Sequence, residues 1–349
     1  MRESISIGEA IFKPGEQGTV DLRVPDLYTH TGITLPVYVV HGKRSGPTLF
    51  LSGALHGDEI NGVEIIRRIL HRKLINRLRG TLIAVPVVNI YGFINKTRYL
   101  PDRRDLNRSF PGSDHGSLAS RMANVILKEV VSKCTHGIDL HTAAIHRDNL
   151  PQVRAVLDDP ETERMARSFY APVILDTKIV AGSLRESAEQ MNVSVITYEA
   201  GEALRFDEVS IRAGVKGVIS TMRELDMLPK LKTRGSKTKE PMVARSSTWV
   251  RASQSGIVRS EKPLGARVSQ GERLGVVSDP FGTKEEIITA TADGIIIGRT
   301  NIPLVNEGEA LFHIARFKQP DSAADAVEEF LNELDLGMDE TPDSEPIII

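Results

Sequence analysis

Cysteine is nearly absent: the 349 residues hold one, Cys134. A single thiol closes no internal disulfide and supplies no cysteine-rich zinc site. Such sparse usage fits a reducing cytoplasm. An excess of either charge is also missing. The formal net charge is −2, so nothing in the balance draws the chain to nucleic acid or to an anionic membrane. Long apolar runs are lacking too. The isoleucine run within residues 294–298 is far shorter than the roughly 20 residues a membrane helix requires. The first residues, MRESISIGEAIF, contain no apolar stretch of the secretory kind. The expectation is a soluble, cytoplasmic protein with neither a nucleic-acid nor a membrane partner. Oligomeric state is not encoded in any pattern, and a homo-oligomer stays open.

What is present is ordinary for a globular chain, with enough apolar material for a substantial core. The length suggests two domains, or one large domain with an appendage. Residues 1–30 read as an N-terminal β extension. Residues 31–228 alternate between strand-like and helix-like segments. LPVYVVH (35–41) and PTLFLS (47–52) read as strands. Residues 58–72 place Ile60, Val63, Ile66 and Leu70 at helical spacing. TLIAVPVVNI (81–90) has the composition of a buried strand, with Pro86 marking an interruption. Residues 118–131, 161–169, 183–191 and 207–225 read as helices. Short strands are expected at 137–140, 153–157, 173–175 and 194–198. Strands interleaved with helices predict an α/β fold with a mixed sheet flanked by helices.

The composition then changes. Residues 229–247 are basic, polar and poor in large apolar side chains, as a linker would be. Between 248 and 317 short β-type runs are punctuated by glycine, which predicts a small all-β, barrel-like domain. Residues 318–349 form an acidic tail, with one amphipathic stretch at 323–336 and a disordered end expected beyond it.

Four segments carry chemistry. In Gly53-Ala-Leu-His56-Gly-Asp-Glu59 an apolar strand gives way to a helix. The carboxyl ends of strands are where open α/β sheets place their sites. An imidazole and a carboxylate three residues apart both suit Zn²⁺. The same residues also suit a plain helix start, where Asp58 and Glu59 favour the positive end of the dipole. In GIDLHT (137–142) His141 ends a second strand, with Asp139 on the same face as a candidate outer partner. In VITYEAG (195–201) a third strand ends in Glu199, a carboxylate able to carry a proton beside a metal. Glu202 is an alternative close by. The fourth segment, RYLPDRRDLNRSFPG (98–112), gathers four arginines. Asn107 and Arg108 suit a carboxylate ligand, whereas Arg103 and Arg104 read as solvated surface.

In this order the four segments resemble the succinylglutamate desuccinylase/aspartoacylase family, a branch of the zinc carboxypeptidase-like fold. The resemblance covers residues 31–317. It implies one zinc ion per subunit, held by His56, Glu59 and His141. It assigns Glu199 as the catalytic glutamate and Asn107 and Arg108 as the grip on the substrate's α-carboxylate. Arg98 takes the place of the arginine that stabilises the oxyanion, and here it stands slightly further from Asn107 than in aspartoacylase. The implied reaction is hydrolysis of the amide bond of an N-acylated amino acid, by a deacylase such as a desuccinylase, aspartoacylase or deacetylase. A zinc carboxypeptidase removing a C-terminal residue, or a zinc protein that binds without turnover, would use nearly the same residues. The β-rich region 248–317 is similar to the family's C-terminal domain, whose turns resemble biotinyl or lipoyl barrels. The sequence shows no lysine in the Met-Lys setting of a carrier, so a domain that rims the site is expected. The acyl group and the amine half are not legible, and the neighbourhood of His146 and Arg147 is equally consistent with pocket or solvent.

Overall fold

The computed structural model describes residues 2–230, 241–318 and 320–336. A short hairpin, β1 (Ile5–Ile7) with β2 (Ala10–Phe12), precedes strand β3 (Gln17–Arg23). There follow β4 (Thr34–His41), β5 (Arg44–Gly53), α1 (Asn61–Leu70), β6 (Arg79–Val85), α2 (Ile90–Asn95) and α3 (Leu118–Glu129). Next come β7 (His136–Ala143), β8 (Arg147–Ala155), α4 (Pro160–Phe169), β9 (Val173–Asp176), α5 (Leu184–Gln190), β10 (Ser194–Glu202) and α6 (Glu208–Glu224). The later strands are β11 (Met242–Ala244), β12 (Ser246–Arg251), β13 (Gly256–Ser260), β14 (Arg267–Val268), β15 (Arg273–Ser278), β16 (Glu285–Thr289), β17 (Gly294–Thr300), β18 (Leu304–Val305) and β19 (Ala310–Arg316). Helix α7 (Pro320–Leu336) closes the described chain.

The large sheet runs in the order β12-β19-β17-β8-β10-β7-β5-β6-β4-β3. Its centre is parallel: β6 beside β5, β5 beside β7, and β7 beside β10. Antiparallel strands flank it on both sides, β4 against β6 and β8 against β10. This is a mixed α/β sheet covered by helices on both faces. A strand buried on both faces needs apolar side chains at successive positions. In β5, Leu49 and Leu51 join a cluster with Ile65 and Ile66 of α1, Phe169 of α4 and Val218 of α6. Phe50 points the other way, into a cluster with Met122 of α3 and Leu184 of α5.

Local chemistry fixes the helices. Asp159 caps α4 by accepting the Thr162 N–H at 2.9 Å, Pro160 sits in its first turn, and Tyr170 ends it in the left-handed region. Asp207 caps α6 through the Ser210 N–H. In α1, Ile65, Ile66 and Ile69 are fully buried, each contributing about 1.5–3 kcal/mol by leaving water.

The structure departs from the sequence reading in several places. The strand expected over 81–90 stops at Val85, before Pro86, which has no N–H to donate to a ladder. The helix expected from 58 begins at Asn61, because 54–60 form a connecting loop. Residues 231–240 of the expected linker lie outside the described residues. Within its remainder, Met242–Ala244 pairs in parallel with β9, and Ala244 is buried in the core. Of the short strands after 248, β16-β15-β13-β18 form a separate antiparallel sheet, as the expected small all-β region requires, while β12, β19 and β17 extend the large sheet through the pairing of β17 with β8. The amphipathic stretch 323–336 is part of α7. The disorder expected beyond it falls on residues 337–349, outside the described ones.

Candidate metal centre

Three of the four central parallel strands, β5, β7 and β10, end at one place. Past β5 the chain crosses 54–60 before α1, and His56 and Glu59 sit in that crossing. Gly57 has to be glycine: a Cβ there would lie 2.0 Å from the carbonyl carbon of Gly92 and 2.2 Å from the Phe93 nitrogen. Backbone cannot yield as a side chain can, so α2 holds the loop in place. His141 lies near the end of β7, and Glu199 is its register partner on β10, so the two side chains share a face of the sheet.

His56, Glu59 and His141 are each at most 4% exposed. Each offers a ligand atom, and these atoms lie within 4.8 Å of one another. Glu59 is the hub. Its Oε1 is 2.7 Å from His56 Nδ1, and its Oε2 is 2.7 Å from His141 Nδ1. The Thr142 backbone N–H and Arg98 Nη1 also donate to it, each at 3.1 Å.

Both far ring nitrogens are held by carboxylates. His56 Nε2–H donates to Asp105 Oδ1 at 3.1 Å, and His141 Nε2–H donates to Asp139 Oδ2 at 2.7 Å. Ser52 Oγ donates to the other oxygen of Asp139 at 2.6 Å. A carboxylate only accepts, so each Nε2 carries a proton, and so does each Nδ1 where it meets the Glu59 carboxylate. The Nδ1 atoms are the ones that turn towards Glu59, and theirs are the protons a metal would displace.

The electrostatics follow. Burial alone would lower the pKa of His56, but the Glu59 charge and the Asp105 hydrogen bond push it above its ordinary value. Burial is outweighed in the same way at His141, which Asp139 and Glu59 push well above. Burial would raise Glu59, yet the two histidines hold it well below the carboxylate range. Asp105 is held low against the same penalty by His56 and Arg98.

This donor set fits a divalent metal. Two imidazole nitrogens and a carboxylate oxygen are a zinc-type set, and a carboxylate behind each ring is the usual device that fixes the ligating tautomer. One divalent cation would also replace the two Nδ1 protons with no change in local charge.

The other sequence candidates are placed as follows. Arg98 bridges Glu59 and Asp105, donating to Asp105 Oδ2 from Nη2 at 3.0 Å and Nε at 3.3 Å. Asn107 accepts the Leu184 N–H with Oδ1 at 2.9 Å, which fixes the amide. Arg108 is exposed, and its Nη1 rests on the Asn107 carbonyl. Glu199 faces two side chains of β8: Asn149 Nδ2 donates to its Oε2 at 2.8 Å, and Arg154 Nη2 lies 3.1 Å from the same oxygen. Glu202, the alternative, instead accepts from the His146 N–H and from Asn301. Arg147 lies over the Trp249 ring, 5.4 Å from its centre, and His146 is exposed.

The sequence reading missed Asp105, Asn149, Arg154 and Ser52. It also missed Arg185, whose buried Nη1 has no partner among the described residues. Only Asp105 left a signal, as an acid two residues before Asn107 in a loop already singled out.

Comparison with known proteins adds three findings. The family model described as the succinylglutamate desuccinylase/aspartoacylase catalytic domain matches residues 45–225. The N-alpha-acetyl-L-2,4-diaminobutyric acid deacetylase of Halomonas elongata is 27% identical over 297 residues, covering 81% of this chain and 86% of that protein. In fold, the chain is similar to a succinylglutamate desuccinylase/aspartoacylase from Rhodobacter sphaeroides, with a TM-score of 0.77 at 24% identity over 86% of this chain and 96% of that one. It is equally similar to the product-bound ectoine utilization protein EutE (DoeB) from Ruegeria pomeroyi, with a TM-score of 0.77 at 23% identity over 86% and 95% of the two chains. No helix among the described residues is long and apolar enough to cross a membrane. The family match spans just over half of the sequence and contains every candidate ligand, and the chain belongs to the succinylglutamate desuccinylase/aspartoacylase family.

Proposed function

We propose that this protein is a zinc-dependent hydrolase that cleaves the amide bond of an N-acylated amino acid. The observation that carries the proposal is the buried His56–Glu59–His141 group, with a carboxylate behind each histidine and Glu199 at the end of the next strand. His56 and His141 would hold the metal through Nδ1, and Glu59 through its carboxylate. Zinc at such a site acts as a Lewis acid and lowers the pKa of a bound water from about 15.7 to about 7.

The chain's own residues supply the rest. Glu199 takes a proton from the attacking water and returns it to the departing amine nitrogen. Arg98 offers N–H donors to the oxygen on which negative charge develops. Asn107 and Arg108 receive the carboxylate of the amino-acid half, Arg108 as a planar fork. The relative from Halomonas elongata places N-acetylated diamino acids first among the compounds to test.

The test is amine release from a panel of N-acetylated diamino acids, N-acetyl and N-succinyl derivatives of aspartate and glutamate, and C-terminal peptides, with unaltered protein and with Glu199→Gln. The proposal expects release from N-acyl amino acids and a loss of at least about 100-fold in Glu199→Gln, with zinc content unchanged. Near-normal turnover by Glu199→Gln would remove Glu199 from the mechanism. Cleavage of peptides alone would make the protein a carboxypeptidase.

A further inference from the structure

We propose that Asn149 and Arg154 are positioning residues for Glu199, and that Gly298, far outside the family-matched segment, keeps the space Asn149 needs. The inference rests on the reading of Glu199 as the proton carrier.

Both groups reach the same atom, Asn149 by a hydrogen bond and Arg154 by an ion pair. Asn149 Nδ2 is 2.8 Å from Glu199 Oε2, and Arg154 Nη2 is 3.1 Å from it. Glu199 Oε1 has no hydrogen-bond partner among the described residues. One oxygen is pinned and the other is free. A glutamate has three side-chain torsions, and a proton carrier works only when held close to its productive position. Pinning a single oxygen gives that precision without occupying the atom that must exchange protons.

Both groups come from β8, the antiparallel neighbour of β10. A purely structural role explains Arg154 poorly. Its buried Nε has no partner among the described residues, so the side chain leaves a donor unpaired to reach Glu199.

Asn149 is 7% exposed, and its space is set from the other side. On β17, Gly298 is the register partner of Asn149 on β8 and of His313 on β19. A Cβ on Gly298 would lie 2.9 Å from Asn149 Oδ1 and 3.3 Å from His313 Cβ. The Gly298 backbone is not in the left-handed region, so an L side chain meets no torsional objection there. Glycine inside a strand weakens it and usually marks a close approach. Here the approach is to the tip of the amide that holds Glu199. That tip is the movable end of a side chain, so alanine would displace Asn149 rather than break the sheet. In this way a strand of the C-terminal β region sets the geometry of a side chain about a hundred positions earlier.

The experiment compares Asn149→Asp, Arg154→Met, Arg154→Lys and Gly298→Ala with unaltered protein and Glu199→Gln. It measures kcat and KM on N-acetyl-2,4-diaminobutyrate, and zinc content separately. A displacement of this kind costs up to about 100-fold. The expected result is a 10- to 100-fold fall in kcat for Arg154→Met and Gly298→Ala, with KM and zinc content little changed. Arg154→Lys should recover part of the loss, and Asn149→Asp should be the slowest of the four because it sets a like charge against Glu199. A crystal structure of Gly298→Ala should show the Asn149 amide moved out of hydrogen-bond reach of Glu199. If Glu199→Gln is inactive while Arg154→Met and Gly298→Ala turn over within twofold of the unaltered protein, the positioning role is wrong and the reading of Glu199 stands. If Glu199→Gln is itself active, both fall.

Discussion

Replacing Asp105 by asparagine is nearly isosteric, yet the structure leaves the amide no satisfactory orientation. Four groups approach the Asp105 carboxylate, and all four are donors. His56 Nε2–H and the Asn107 N–H meet Oδ1 at 3.1 and 2.8 Å; Arg98 Nη2 and Nε meet Oδ2 at 3.0 and 3.3 Å. An asparagine must turn its NH2 to one side or the other. Facing Arg98, it opposes a guanidinium and frees the arginine. Facing His56, it drives the ring proton from Nε2 to Nδ1, the atom that must be bare to bind metal. Removing such an outer carboxylate weakens metal binding by roughly 10- to 100-fold, or about 1.4–2.7 kcal/mol. The assay is zinc affinity by competition with a chromophoric chelator. Asp102→Asn is the control, because Asp102 lies in the same loop but faces the backbone N–H groups of Arg104 and Ala119 and the Arg104 side chain, not His56 or Arg98. The reasoning is refuted if Asp105→Asn binds zinc within twofold of the unaltered protein.

Three further predictions concern the scaffold. Gly57→Ala should lower the melting temperature and the zinc content together, by at least about 1–3 kcal/mol in stability, because the added methyl meets backbone at 2.0 Å; a variant of normal stability and metal content would show that α2 can yield. Arg67 and then Arg68 hold Glu64 down to about 2. A depressed carboxylate stabilises fully above its unfolded pKa, so this contribution should be complete above about pH 4.5 and vanish as pH falls towards 2. Glu64→Gln should therefore cost about 1–2 kcal/mol at neutral pH, after allowing for the solvent-exposed Arg67, and nothing near pH 2, as read by urea unfolding at both values. Burial pushes the Cys134 thiol far up, so thiol reagents should label it only after unfolding; rapid labelling of the native protein would contradict its burial.

The sequence made most of the site legible because the fold places it at strand ends. The apolar runs before His56, His141 and Glu199 predicted three strands, and these are adjacent and parallel in the sheet. The residues that stayed hidden act across strands whose neighbours cannot be read from local pattern. Asn149 is polar at the start of a strand, and nothing nearby in sequence says that β10 lies on one side and β17 on the other. Gly298 reads as one more glycine in a glycine-punctuated β region; only the register with Asn149 gives it a purpose. The strand Met242–Ala244 was hidden for a related reason. Three residues after a basic run carry no periodicity, and pairing with β9 alone makes them a strand.

The most direct test of a zinc site that hydrolyses amides is a titration of activity against metal. Protein stripped with a chelator should release no amine from N-acyl amino acids. Activity should then return in proportion to added zinc and saturate at one ion per chain, whereas a His56→Ala, His141→Ala double variant should recover none. Amine release by the stripped protein at the original rate, or full recovery by the double variant, would contradict the account.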